Sequence, residues 1–191
     1  MMFVKRHFYN VRLQKDKPKL PRQKRWFNFD SATYVGILFS VSDLDWESQI
    51  RAFTAFLGTK QIRYAVMGYA KRPVPDVNIS YCQFFNNKQI SWLDTPKRNT
   101  PLFDFMREPF DMLINCCSAD YRFMHYVTLL SPASFRIGTK HQGKDLPYDL
   151  MLSLPDRKNA IAPFFDVLNE YLPLFCHQKE EEEQNDFFFI S

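Results

Sequence analysis

EPFDMLINCCS, residues 108–118, decides the fold class. Apart from Asp111, Phe110 to Cys117 offers almost no side chain that prefers water, the pattern of a strand covered by helices on both faces. Strands of that kind occupy the middle of α/β sheets. In an open α/β sheet the ligand crevice lies outside the carboxyl ends of the strands. Asn115, Ser118 and Asp120, at and just beyond the end of this run, are therefore the first candidates for a pocket.

Upstream, Tyr34 to Phe39 reads as a second buried strand, ending in Ser40-Val41-Ser42-Asp43. Ser42 or Asp43 is expected to cap a helix in which Trp46, Ile50, Phe53 and Leu57 recur at helical spacing, with Gly58 at its end. Ile62 to Tyr69 reads as the next strand, parallel to the first through a right-handed crossover. Ile79 to Phe85, an Asn86-Asn87 turn and Gln89 to Leu93 are expected to form a hairpin, with Ile90 to Leu93 its firmer half. Thr100 before Pro101 starts a short helix through Leu102, Phe103, Phe105 and Met106. Downstream, Asp120 is expected to cap a helix burying Phe123, Val127 and Leu130. Ser134 to Gly138 and Tyr148 to Leu154 read as strands, and Asn159 opens a last helix with Phe164, Leu168, Tyr171 and Leu172 on one face.

Strands alternating with helices predict a three-layer α/β domain with a mostly parallel sheet, Rossmann-like or flavodoxin-like. The division expected along the chain is a basic amphipathic helix and tether at 1–31, the α/β domain at 32–175, and an acidic, Phe-ended tail at 176–191. A chain of 191 residues suits one such domain, and its 20 Phe, 9 Tyr and 3 Trp point to a Phe-packed core.

The charge is divided unevenly. Lys5, Arg6, Arg12, Lys15, Lys17, Lys19, Arg22, Lys24 and Arg25 face Asp16 alone within residues 1–25, so a chain of net +4 has a net acidic body. Val4, Phe8 and Val11 give the start of this arm an amphipathic helical pattern, while Pro18 and Pro21 end the helix. Such an arm suits an anionic partner, either the phosphates of RNA or the ribosome or an anionic membrane surface. Another protein is the remaining class of partner. No apolar run is long enough for a spanning helix, and no signal-peptide core follows Met1. With Cys82, Cys116, Cys117 and Cys176 read as reduced thiols, the expected location is cytoplasmic.

The sequence carries no nucleotide-loop signature, since none of its 5 glycines forms GxGxxG or GxxxxGK[ST]. Cys116 or Cys117 with His125 or His141 has no spacing that marks a nucleophile and base. Cys and His are not paired as structural zinc requires, and no cofactor or metal is expected. The candidate cleft comprises Ser40, Ser42, Asp43, Asn115, Ser118 and Asp120, all following strands. Lys71, Arg72, Lys140 and His141 also follow strands and would draw an anionic ligand.

The basic leader, the TYVGILF strand, the DTPKRNTPLFDFMREPFDMLINCC block, the SFRIGT strand and the YDLMLSLP strand together resemble a family of small uncharacterised bacterial proteins known as a domain of unknown function. The resemblance spans most of residues 1–172 and implies the fold and a cytoplasmic bacterial origin, with no activity attached. A narrower stretch, FDMLIN through SFRIG, is similar to the N-terminal domain of heptosyltransferase-type glycosyltransferases, where an acidic residue is common at the position of Asn115. The expected function is a non-catalytic binding or adaptor protein whose basic arm engages an anionic partner. The alternative is a small-molecule-binding or transferase-like domain with its cleft at the strand ends.

Overall fold

Alternation within single strands builds the two cores. In β1 (Tyr34–Ser40), Val35, Ile37 and Phe39 point to one face of the sheet, and Tyr34 and Leu38 to the other. The same alternation places Met112 and Ile114 of β4 (Met112–Asn115) on the first face and Leu113 on the second. With β2 (Arg63–Tyr69), β3 (Cys82–Phe85), β5 (Phe135–Thr139) and β6 (Leu150–Leu152) they form a six-stranded sheet of order β3-β2-β1-β4-β5-β6. Every neighbouring pair is parallel, for example Ile37 opposite both Val66 and Ile114. This is the Rossmann strand order, which reverses direction between β1 and β4. The computed structural model describes residues 2–16, 22–43, 45–71, 81–141, 146–153 and 161–185.

The first face is covered by α2 (Trp46–Thr59) and α5 (Ile161–Asn185), through Ile50, Phe53, Leu57, Phe164, Phe165, Leu168 and Leu172. Phe53 and Phe165 stack with ring centroids 3.5 Å apart. On the second face lie α3 (Pro101–Met106) and α4 (Arg122–Leu130), through Leu102, Phe105, Met106, Phe123, Met124, Val127 and Leu130. Each such buried side chain contributes roughly 1.5–3 kcal/mol. α1 (Met2–Asp16) lies against α4, where Tyr9 meets Tyr126 edge to face at 5.6 Å. Asp111, the one charge in the central run, has a task at the start of the sheet. Its Oδ2 accepts the N–H groups of Thr33 and Tyr34 and the Thr33 hydroxyl, tying β4 to the entry of β1.

Several local expectations change. β3 pairs with β2 in parallel and is followed by a 3₁₀ turn, Asn87–Gln89, so the hairpin does not form. Ile90 makes only one antiparallel bridge, to Pro96. The strand pattern of Ile79 to Leu93 was indifferent to direction; the open edge of β2 decided it. Gly58 does not end α2. The helix continues to Thr59, and the left-handed residue is Gln61, at φ 58°, while the Ile62 N–H returns to the Leu57 carbonyl. Thr100 does cap α3, its side chain accepting from the Phe103 N–H with Pro101 in the first turn.

Candidate functional site at the carboxyl edge

The reversal of strand order brings the segments after β1 and β4 side by side. Ser40 Oγ and Ser42 Oγ lie 2.7 Å apart. Asp43 is buried and accepts a hydrogen bond from the Ser118 hydroxyl, joining the two sides of the crevice. It does not cap α2, whose first turn follows Asp45 in the left-handed region at φ 52° with no side-chain cap bond. Burial pushes the Asp43 carboxyl above the ordinary carboxylate range, and its bonds with Ser118 and Ser40 offset this only in part. Its Oδ2 has no hydrogen-bond partner among the described residues.

Next to this link runs a chain of hydrogen bonds whose direction can be followed donor by donor. The Cys117 N–H donates to Asn115 Oδ1, which leaves the amide Nδ2 to donate to Tyr148 Oη at 2.7 Å. Tyr148 Oη then faces His125 Nδ1 at 3.1 Å, and His125 Nε2 faces Asp120 Oδ1 at 2.7 Å. Asp120 accepts, so Nε2 carries the proton, Nδ1 is the acceptor, and the tyrosine O–H donates to it. Asp120 therefore orients a histidine rather than capping α4, which begins after Tyr121 without a side-chain cap bond. His141, buried at the end of β5, places its ring 5.9 Å from that of His125.

Burial lowers the His125 pKa below its ordinary value of 6.5. The Tyr148 bond adds to this, because protonation at Nδ1 would turn an acceptor into a donor facing a donor; the half-exposed Asp120 opposes it. A depressed folded-state pKa means the unfolded chain binds the proton more readily, so stability falls as pH drops below 6.5 and levels off once folded His125 is also protonated. In an NMR titration the His125 imidazole is expected to change charge below 6.5, and Tyr148→Phe is expected to raise the midpoint. An unchanged midpoint in that variant would mean the tyrosine is not the donor.

The chain ends at a pocket of about 290 Å³ lined by Tyr9, Asp120, Arg122, His125, Leu129, Leu146 and Pro147. Tyr9 arrives from α1, so the N-terminal helix forms one wall. Ser40, Ser42, Asp43, Asn115, Ser118 and Asp120 thus all gather at the carboxyl edge, but in two groups. Ser40, Ser42, Asp43 and Ser118 bond among themselves, whereas Asn115 and Asp120 lead to the pocket through Tyr148 and His125. Residues 5–175 match DUF6913, a family of unknown function. The chain belongs to this family. No curated protein matches it. The DUF6913 match includes all six strands and every residue of the hydrogen-bond chain, and it ends before Cys176.

Three features of this DUF6913 domain direct attention away from other sites. Cys116 and Cys117 are buried on opposite faces of the sheet, and burial raises both thiols well above their ordinary pKa, so neither is held as a thiolate. Burial likewise pushes Cys82 up to about 12. Among the described residues no group of three His, Cys, Asp or Glu side chains is placed to hold a metal ion. A larger pocket of about 440 Å³ opens near the amino end of β1, by Tyr34, Asp104 and Glu108. There Tyr34 donates to Glu108 at 3.4 Å and Arg63 covers its ring at 4.4 Å. It lies at the end of the sheet opposite the strand-end crevice.

The basic residues of the arm have varied surroundings. Lys5 and Arg6 fall on α1, and Lys17 and Lys19 lie outside the described residues. Arg12 pairs with Asp16 and reaches the Pro96 carbonyl, while Lys15 is exposed in the last turn. Arg22 is drawn into the body, donating to both carboxylate oxygens of Asp149 at 2.6 Å and to the carbonyls of Ala133 and Ser134. Lys24 approaches the same carboxylate at 3.4 Å, and Arg25 lies over the Phe27 ring at 5.0 Å. No helix among the described residues is long and apolar enough to cross a membrane.

Tyr148 and His125 are the site residues that sequence reasoning missed. Tyr148 is hidden in an apolar strand pattern, and His125 reads from the sequence only as a base for a cysteine or as one member of an unsupported Cys/His zinc set. The one available signal was an imidazole within a helix otherwise dominated by buried side chains.

Proposed function

We infer that this domain binds a small polar molecule in the pocket between α1, α4 and the segment before β6, beside Asp120 in the turn after β4. The observation that carries this reading is the one-way hydrogen-bond chain from Asn115 through Tyr148 and His125 to Asp120, which orients two polar side chains on the pocket wall. An apolar lining of Leu129, Leu146, Pro147 and Tyr9 with a few oriented polar groups is the usual make-up of a ligand site. Asp120 suits a hydroxyl or amine donor, and the exposed Arg122, held only loosely by Asp94 at 3.9 Å, suits an acidic group. Sugar phosphates, nucleotides and hydroxy acids combine both. A compound at a hundredfold excess over its Kd is expected to stabilise the fold by about 2.7 kcal/mol, or roughly 5–10 °C in Tm. Asp120→Ala and Arg122→Ala should each diminish that shift. If none of these classes moves Tm, or if the shift survives both substitutions, the reading fails.

A second reading concerns the arm, as an address for an anionic partner. Asp16, the only acid in residues 1–25, has a side chain 2% exposed and is enclosed by Arg12, Arg98 and the Tyr126 hydroxyl. Burial alone would raise its pKa, but these three bonds together hold it below the ordinary value. Its charge thus offsets Arg12 and Arg98, and no second acid within residues 1–25 faces the remaining bases of the arm.

A further inference from the structure

Where α1 meets the loop after the 3₁₀ turn, three apolar side chains face water together. Trp92 is 63% exposed, Phe8 49% and Val11 39%, and the Phe8 and Trp92 rings pack edge to face at 6.0 Å. Phe8, Val11 and Lys15 follow one another at helical spacing, so they share one stripe of α1. Tyr9 and Leu13 of the same helix turn the other way, into the core beside α4. The helix is therefore already docked through one face, and a second, partly apolar face remains outward. Cations rim it: Lys15 from α1 and the exposed Lys97 from the segment against which α1 packs, while Arg98 beside Lys97 is already paired with Asp16. Lys5 and Arg6 belong to the same helix, and the only acid of that helix is enclosed as described.

Resting on the reading of the arm as an anionic address, we propose that the Phe8–Val11–Trp92 patch inserts into the headgroup region of an anionic lipid bilayer, with the surrounding lysines and arginines on the lipid charges. Charge complementarity selects an anionic partner. The apolar stripe selects lipid among anions, since an amphipathic helix with aromatic and aliphatic residues outward and bases beside them is what lies in a bilayer interface. Tryptophan suits that depth, with an apolar ring and one N–H for water or headgroup. Single-stranded RNA would ask for open ring faces on which bases stack. Here the edge-to-face pair spends a ring face on its neighbour's edge, and Val11 offers no stacking surface.

The experiment sediments the full chain with vesicles of phosphatidylcholine alone and with vesicles that also contain phosphatidylglycerol, across a range of salt. Mixed-sequence single-stranded RNA is titrated in parallel, and oligomeric state is measured in each variant. The expected result is binding to the anionic vesicles only, weakened by salt, with the Trp emission shifted to the blue. Phe8→Ser with Trp92→Ser should reduce vesicle partitioning about tenfold or more while the unfolding transition stays in place. Lys15→Glu should weaken binding and flatten its salt dependence. Binding that the Phe8 and Trp92 changes leave intact overturns the lipid assignment. So does RNA binding without vesicle binding, which would preserve the arm reading alone. A dimer that the same two changes dissociate would assign the patch to a second copy of this chain. Failure to bind either vesicles or RNA would overturn both the lipid proposal and the arm reading.

Discussion

Replacing Arg22 with alanine is expected to cost about 3 kcal/mol of stability, because it strips a largely enclosed carboxylate of its bidentate partner and leaves it only the Arg136 N–H and the exposed Lys24. Both side chains of the Arg22–Asp149 pair are 11% exposed, and the guanidinium makes two bonds of 2.6 Å to the carboxylate. Asp149 also accepts the Arg136 N–H, so the charge lies against the backbone of β5. Burial by itself would raise the Asp149 pKa, but Arg22, the Arg136 N–H and Lys24 outweigh it and hold the carboxyl below its ordinary value. The folded-state pKa is depressed, so the contribution is complete above the unfolded value near 3.8 and is lost as pH falls through the folded one. Wild type and Arg22→Ala should therefore converge in acid. Denaturant titration checks the loss, with a lower midpoint at unchanged slope. Lys24→Ala is the control: an exposed partner of the same carboxylate is worth about 0–1 kcal/mol. A loss below about 1 kcal/mol for Arg22→Ala would mean the segment before β1 is not held to β5 and β6 by this bridge.

Gly138→Ala is the second large effect, and it couples the fold to the candidate site. A methyl at this position would lie 2.3 Å from the Tyr148 ring, closer than any packed pair tolerates. The backbone has no room to retreat, since Gly138 is paired with Asn115 on one side and Met151 on the other. The ring must therefore move, and with it the hydroxyl that joins Asn115 to His125. Overpacking and the loss of these buried hydrogen bonds together set the cost on the order of 3 kcal/mol. The decisive measurement is a double-mutant cycle. In a Tyr148→Ala background the added methyl should cost much less, and the His125 titration should already be altered. Equal costs in the two backgrounds would show that the strain is relieved somewhere other than Tyr148.

Much of the architecture was legible because it rests on short-range pattern. The apolar run from Phe110 to Cys117, the Tyr34–Phe39 strand and the Phe53, Leu57 and Phe164, Leu168 spacings each report what one segment needs covered, and a strand apolar on both sides has few solutions other than a layered α/β sheet. That pattern also located Ser40 to Asp43 and Asn115 to Asp120 at the strand ends. Where the pattern was silent, local propensity misled. Asp43 and Asp120 were read as helix caps, the commonest role for Asp after a strand. Instead one carboxylate oxygen of each is engaged by a residue from another segment or turn, Ser118 and His125.

Partnership of that kind depends on contacts between segments far apart in the chain. Asn115 and Tyr148 are 33 residues apart, and Arg22 and Asp149 are 127 apart. No periodicity links such pairs, because a side chain's burial and charge state follow from what the fold brings to it rather than from its neighbours in sequence. Strands, helices and their faces were fixed by apolar spacing along the chain. The direction of β3, the capture of Arg22 and the Asn115–Tyr148–His125–Asp120 chain were set only when the sheet closed, since hydrogen bonds and ion pairs are chosen by proximity in space.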